Sequence, residues 1–232
     1  MTLSAVSAFD SMASEYDSWF GNKGKLVFAI EVQALRQALP LLPKAWLEIG
    51  AGSGRFAQAV GIETGLDPSP ELLKIAKSRG INTLLGKGEK APFKNHVFGA
   101  VFITLTLCFV DSPLKVLMEA NRVLKKGGNL VLGSVLAGTP WGELYDWKKE
   151  AGHRFYKYAT FYSYAELETL LVQAGFSIEK VISTLFQRPD KVDHIEFPQE
   201  GVFSDAGFTV IVAGKAKQRS NIEKGADGKC LP

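Results

Sequence analysis

Between Ala45 and Leu136 short apolar runs alternate with helix-patterned segments, and few folds accept that alternation. "AWLEI", "IETGLD", "INTLLG", "GAVFITLTL" and "NLVLGSVL" read as strands. "SPELLKIAKSRG" reads as a helix, with Ser69 as N-cap, Pro70 at the first helical position and Gly80 as the stop. "SPLKVLMEANRVLKKGG" repeats the signal, from Ser112 and Pro113 to a double glycine. The run "GAVFITLTL" is apolar on both faces, as a central parallel strand must be. Strand–helix alternation predicts an α/β chain: a Rossmann-like doubly wound sheet, mostly parallel with an antiparallel last strand, helices on both faces.

Around this unit lie less regular segments. Phe9 to Leu42 has helical spacing, ended by Pro40 and Pro43. Gly138 to Ser163 is aromatic-rich and irregular; "YAELETLLVQAGF" is a late helix, and "SIEKVISTLF" and "GFTVIVAGKA" are late strands. We expect one domain over residues 1–214, with 1–42 as a helical lid, 138–163 as a substrate-covering insertion and 215–232 as a disordered tail. Of the 232 residues 46% are apolar and 22% charged, enough for an ordinary core without staples. The net charge of +3 is dispersed, so nucleic acid is not an expected partner. The two cysteines have no metal-ligand or disulfide spacing, so no metal is expected. The start lacks a basic segment followed by an apolar block, and the longest apolar run falls short of the roughly 18 residues of a membrane span. A cytoplasmic location without membrane association is expected; oligomeric state leaves no mark in the sequence.

Chemistry concentrates in "WLEIGAGSGRFAQAVGIETGLDPS". Gly50 at the end of the first strand permits a tight turn and close approach of a ligand to the backbone. Gly54 lies where the next helix starts, which turns free amides toward a site. Asp67 ends the second strand, where a carboxylate can accept both hydroxyls of a ribose; as an alternative it caps the following helix. The spacing is not that of a dinucleotide loop, whose third glycine would fall on Arg55. Glu48 beside the loop would repel a diphosphate and suits a ligand with an ammonium group and a sulfonium, such as S-adenosylmethionine.

At this point the chain resembles the class I S-adenosylmethionine-dependent methyltransferases, of the small ubiquinone/menaquinone-biosynthesis-like (type 11) kind. The resemblance runs from about Phe9 to Ala213 and rests on "LEIGAGSGRF", "GLDPSPELLKIAKSRG", "GKGEKAPF", "EANRVLKKGGNLVLG" and "FYSYAELETLLVQAGFSIEKV", in family order. It implies that Gly50, Ala51 and Gly52 line the methionine part of the cofactor, that Asp67 holds the ribose and that Pro68 packs near the adenine. Gly88 and Glu89 would form the adenine edge, and Thr104, Leu105 and Thr106 would lie beside the methyl group. "SEYDSWF" resembles the family's lid element, which makes Tyr16 and Trp19 candidate cofactor contacts; both also suit the core of an amphipathic helix. Lys87 stands where the family often has aspartate, and Gly99 replaces the aspartate that often opens the fourth strand.

The aromatics of the 138–163 segment either pack a cover over the sheet or line an apolar acceptor pocket. Trp141, Tyr145, His153, Tyr156 and Tyr162 are the candidate acceptor contacts. Lys148, Lys149, Arg154 and Lys157 read as a solvated face, or as a site for an acidic substrate. No residue is singled out as a catalytic base. The expected activity is methyl transfer by direct displacement to a small-molecule acceptor. The rival readings are an NAD-dependent oxidoreductase on a related fold and a non-catalytic S-adenosylmethionine-binding module.

Overall fold

The computed structural model of the chain describes residues 5–39 and 42–216. Its centre is an eight-stranded sheet in the order β3-β2-β1-β4-β5-β8-β6-β7. The strands β1 (Trp46–Ile49), β2 (Thr64–Asp67), β3 (Asn82–Leu85), β4 (Phe98–Thr104) and β5 (Leu124–Ser134) are parallel. β8 (Phe208–Lys215) is inserted antiparallel between β5 and β6 (Phe176–Thr184), and the two-residue β7 (Gln199–Glu200) pairs antiparallel with β6. Antiparallel pairing thus occupies the whole carboxyl-terminal edge, which is more than the single strand the sequence suggests. From β1 the chain builds outward to β3, then returns to β4 on the other side, so the strand order reverses between β1 and β4. Doubly wound sheets bind ligands at that reversal, beyond the carboxyl ends of the strands.

Alternation along each strand divides the interior in two. Trp46, Phe102, Val131 and Phe208 face one layer, with α3 (Lys25–Ala38) and α4 (Arg55–Val60). Leu47, Ile49, Val101, Ile103 and Leu130 face the other, with α6 (Pro113–Val123) and α8 (Tyr164–Gln173). The helix α5 (Pro70–Ser78) starts as its sequence predicts, with the Ser69 hydroxyl accepting from the Leu72 amide at 3.2 Å.

Three segments differ from expectation. The amino-terminal stretch is three helices, α1 (Ala5–Ser11), α2 (Ala13–Gly21) and α3, because the chain turns at Met12 and again over Asn22–Gly24. α6 stops at Val123, short of the double glycine: the Val97 amide takes the Val123 carbonyl at 2.8 Å and Leu124 already pairs with Phe98. The 138–163 stretch is not irregular throughout but carries α7 (Pro140–Glu150), whose Thr139 hydroxyl accepts from the Gly142 amide. Thr139-Pro140 is the same start signal as Ser69-Pro70, and the density of aromatics obscures it. Lys215 closes β8, and the tail expected beyond it lies outside the described residues after Ala216.

Candidate functional site

At the reversal point the chain forms a cleft of about 890 Å³ including its mouth, within the range of small-molecule sites. Gly50 follows β1 with φ of 74°, a left-handed conformation natural to glycine. A Cβ there would also collide with the Thr106 side chain, whose hydroxyl donates to the Gly50 carbonyl at 3.1 Å. The glycine therefore lets the β1 turn close against the end of β4. Gly52 follows, and its amide donates to Asp67 Oδ2 at 2.8 Å. The Ser69 amide donates to Asp67 Oδ1, also at 2.8 Å. One carboxylate thus joins the glycine loop to the start of α5, and each oxygen retains a lone pair for a ligand hydroxyl. Burial raises the Asp67 pKa to about 6, against the pull of the two amides.

The cleft lining includes Tyr16, Gly50, Gly52, Asp67, Pro68, Gly88, Glu89, Leu105 and Thr106 among the residues expected from the sequence. Five others, Trp19, Glu48, Ala51, Gly54 and Thr104, do not line it. Glu48 is 1% exposed and points into the α3/α4 layer, because Ile49, one residue on, takes the cleft side of the strand. Burial raises its pKa to about 8, opposed by the Thr104 hydroxyl and the Ala57 amide. Thr104 is buried beside it. Ala51 packs under Gly65, and Gly54 starts α4 where a Cβ would crowd Ala76 and Ile81. Gly54 therefore lets α4 pack closely, and it does not line the cleft. Trp19 lies on the flank of α2, edge-on to Phe20 and over Gly24, and does not reach the cleft.

The amino-terminal helices roof the cleft through Ala5, Val6, Phe9 and Tyr16. Asp10 Oδ1 accepts from the Ser69 hydroxyl at 2.7 Å and the Glu71 amide at 3.0 Å, at the start of α5. Asp17 accepts from Arg55 Nε and Nη2 and from Arg79 Nη2, each at 2.8 Å. Burial opposes its charge, but the hydrogen bonds from Arg55 and Arg79 hold its carboxyl well below the usual range. Arg79 also donates to the Ser53 carbonyl in the glycine loop at 2.5 Å, so the clamp ties roof to loop. None of Asp10, Asp17, Arg55 or Arg79 is marked as a site residue by the sequence; their partners lie 38 to 62 residues away.

At the far wall Glu89 Oε1 accepts from the Asp111 amide at 3.0 Å, and Lys87 pairs with the Asp111 carboxylate at 3.0 Å. Lys87 is the one cation lining the cleft among the described residues. With Asp67, Glu89 and Asp111 also there, the cleft suits a cationic nucleoside better than a diphosphate. The glycine bend, the free lone pairs of Asp67 and the apolar walls of Ile49, Leu72 and Phe109 fit S-adenosylmethionine.

The expected acceptor contacts are placed unequally. Trp141 is buried structure: its indole N–H donates to the Gln187 carbonyl and its ring fills the space over Gly207. Tyr162 borders a smaller pocket of about 300 Å³ beyond Leu105 and Thr106. Tyr145, His153 and Tyr156 come together, with ring centroids at 4.5 Å for Tyr145–Tyr156 and 4.8 Å for His153–Tyr156. The His153 ring accepts from the Phe155 amide at 3.3 Å, and burial lowers its pKa. Among the described residues no three His, Cys, Asp or Glu side chains cluster as metal ligands would, and no helix is long and apolar enough to cross a membrane.

Comparison with known proteins adds independent findings. A family described as "Methyltransferase domain" matches residues 47–132. The chain is 38% identical to a SAM-dependent methyltransferase of Thermotoga maritima, described as a possible histamine N-methyltransferase. That structure superposes with a TM-score of 0.85, covering 91% of this chain and 99% of that one. An uncharacterized protein of Mycobacterium tuberculosis is 41% identical over 211 residues, which is 90% of this chain and 74% of that one. One from Methanocaldococcus jannaschii is 39% identical over 210 residues, 90% of this chain and all of that one.

Proposed function

We propose, from the premise that this chain belongs to the SAM-dependent methyltransferase family, that it transfers a methyl group by direct displacement to a small-molecule acceptor under the 138–163 cover. Bound S-adenosylmethionine supplies an activated methyl group on a cationic sulfur. The protein's share is to align the partners and exclude water. Alignment can account for up to roughly 7–11 kcal/mol of such a barrier. Asp67 would hold the ribose hydroxyls, the Gly50–Gly52 bend would admit the amino-acid end, and Gly88 and Glu89 would edge the base. Phe9 and Tyr16 would keep the reacting atoms dry, which favours a step in which charge on sulfur disappears.

The observation that carries this reading is Asp67: a buried carboxylate, positioned by two backbone amides, facing a glycine-lined cleft with lone pairs to spare. The oxidoreductase reading is disfavoured by the single paired cation in the lining. A nitrogen acceptor would match the description of the Thermotoga relative. Calorimetry is expected to show binding of S-adenosylhomocysteine and none of NAD. Turnover of methyl-labelled cofactor with a metabolite mixture separates an enzyme from a silent binder; the reverse ligand preference would end the proposal.

A further inference from the structure

The roof over the cofactor cleft is held from two sides. α1 is a seven-residue helix with one buried residue of its own, Ala8. A helix that short does not persist alone in water, so its neighbours set its place. Asp10 ties one side of it to the start of α5. Phe9, about 100° away around the helix axis, faces elsewhere. It stacks on Phe155 with ring centroids 4.8 Å apart and planes at 18°. It also meets Phe109 and Tyr16 edge-on, at 5.0 and 5.2 Å.

Three of these four rings, Phe9, Tyr16 and Phe109, line the cofactor cleft, and Phe155 does not. Phe155 follows α7 within the 138–163 cover and lies 5.8 Å from the Tyr16 ring. The residue before it also reaches the roof. Arg154 Nη1 donates to both carboxylate oxygens of Glu15 on α2, at 2.9 and 2.7 Å, and to Met12 Sδ at 3.4 Å. That ion pair is more than half exposed on both sides, so solvent screening leaves it weak. The stacked ring carries the contact. The turn that presents it is itself fixed to the cover: the His153 ring accepts from the Phe155 amide at 3.3 Å, and the Tyr156 ring lies 4.5 Å from that of Tyr145 on α7. Where the cover sits therefore decides where Phe9 and Tyr16 sit.

We propose that Phe155 is a positioning residue that latches the acceptor cover onto the cofactor roof, so that cofactor exchange requires the cover to lift. The inference rests on the methyltransferase reading for the ligand in the cleft, and adds to it a link between the two sites. An acceptor seated under the cover holds the latch shut and traps the cofactor; the spent cofactor leaves after the methylated product. Lid opening of this kind commonly governs release. The roof must open for entry as well as for exit, so loosening the latch speeds both.

The test follows S-adenosylhomocysteine by stopped flow on the full chain. Phe155→Ala is expected to raise the dissociation rate about tenfold or more and the association rate with it, so that affinity falls by less than dissociation gains. Phe155→Leu, which keeps part of the bulk, is expected to fall between that variant and the parent. Trp147→Ala, which removes an exposed aromatic of the same cover, is expected to match the parent. The latch acts through Phe9, so Phe9→Ala and Phe155→Ala combined are expected to dissociate little faster than the faster single variant. Hydrogen exchange reads the latch without ligand: amides of Ala5–Gly21 are expected to exchange faster in Phe155→Ala, while those of β4 and β5 stay protected and report an intact fold. The proposal is overturned if Phe155→Ala releases S-adenosylhomocysteine at the parent rate, if association slows instead of rising, if the two substitutions add in full, or if exchange over the roof is unchanged. If the parent protein does not bind S-adenosylhomocysteine at all, the methyltransferase reading fails first and this one with it.

Discussion

Asp17 and Glu31 lie on neighbouring helices of the same amino-terminal segment, and they are treated in opposite ways. Asp17 is held by two guanidinium groups and its charge is secured. Glu31 has a free oxygen, no cation, and a pKa driven upward. The difference divides the molecule. On the cofactor side, Asp10, Asp17, Asp67 and Glu89 all accept hydrogen bonds from the chain, as a preorganised site requires. Behind the roof, Glu31 Oε2 has no hydrogen-bond partner among the described residues.

The comparison breaks most visibly at Asp67. Replacing it with alanine removes a charged acceptor and frees the Gly52 and Ser69 amides, and two charge-assisted hydrogen bonds to a ribose are lost. At about 1.5–3 kcal/mol for a bond to a charged group, S-adenosylhomocysteine affinity should fall roughly 100-fold or more by calorimetry. In the parent protein the carboxylate is lost as pH falls through about 6. Affinity should therefore be flat above pH 7 and decline below 6, by up to about tenfold per pH unit. An unchanged affinity in Asp67→Ala would assign Asp67 to capping α5.

A smaller effect is expected at Asp17. Asp17→Ala removes the shared acceptor of Arg55 and Arg79 and releases α2 from the glycine loop. The guanidinium groups are partly exposed, so the full penalty of a buried broken pair does not apply. We expect about tenfold weaker S-adenosylhomocysteine, mainly through faster dissociation by stopped flow, and earlier proteolysis at the α1–α2 junction. A loss in association rate alone would show that the clamp does not hold the roof closed.

The two halves were also unequally legible. The β1–β5 order, the Ser69 cap and the Gly50–Asp67 cradle are local patterns, and each local preference agrees with the fold. What the motif cannot convey is which side of a strand a residue takes. Glu48 and Ile49 are adjacent, yet only Ile49 borders the cleft; the electrostatic argument from Glu48 identified the right ligand class from a residue that does not line the site. Asp17–Arg55 and Asp10–Ser69 are tertiary encounters with no periodic signature. α7 was readable from Thr139-Pro140 but is masked by side chains too large and too many for an ordinary surface helix.

Glu31→Gln sharpens the contrast through stability. A carboxyl with a pKa near 8 when folded and 4.5 when unfolded takes up a proton on folding between those values. Stability from this group is therefore fully present below pH 4.5 and declines until about pH 8. Glutamine does not titrate. The variant should melt within a degree of the parent at pH 4.5 and on the order of 10 °C above it at pH 8.5, since a carboxyl titrating near 8 instead of 4.5 is worth about 4–5 kcal/mol, each roughly 2–4 °C for a chain of this size. Glu48, with a pKa also near 8, leaves part of the pH slope in the variant.

The smallest effect is expected where the charges meet in water. Lys87 and Asp111 lie 3.0 Å apart at the rim, with side chains 59% and 82% exposed. The pair resembles Asp17–Arg55 in distance and charge, but solvent screening leaves such pairs about 0–1 kcal/mol at most. Lys87→Ala should change S-adenosylhomocysteine affinity less than about threefold and the melting temperature by a degree or two at most. Raising salt from low to physiological strength should erase even that. Lys87 lines the cleft, so a loss of tenfold or more would move it from the rim into the recognition set. The cofactor half would then contain an ionic contact whose strength exposure alone does not predict.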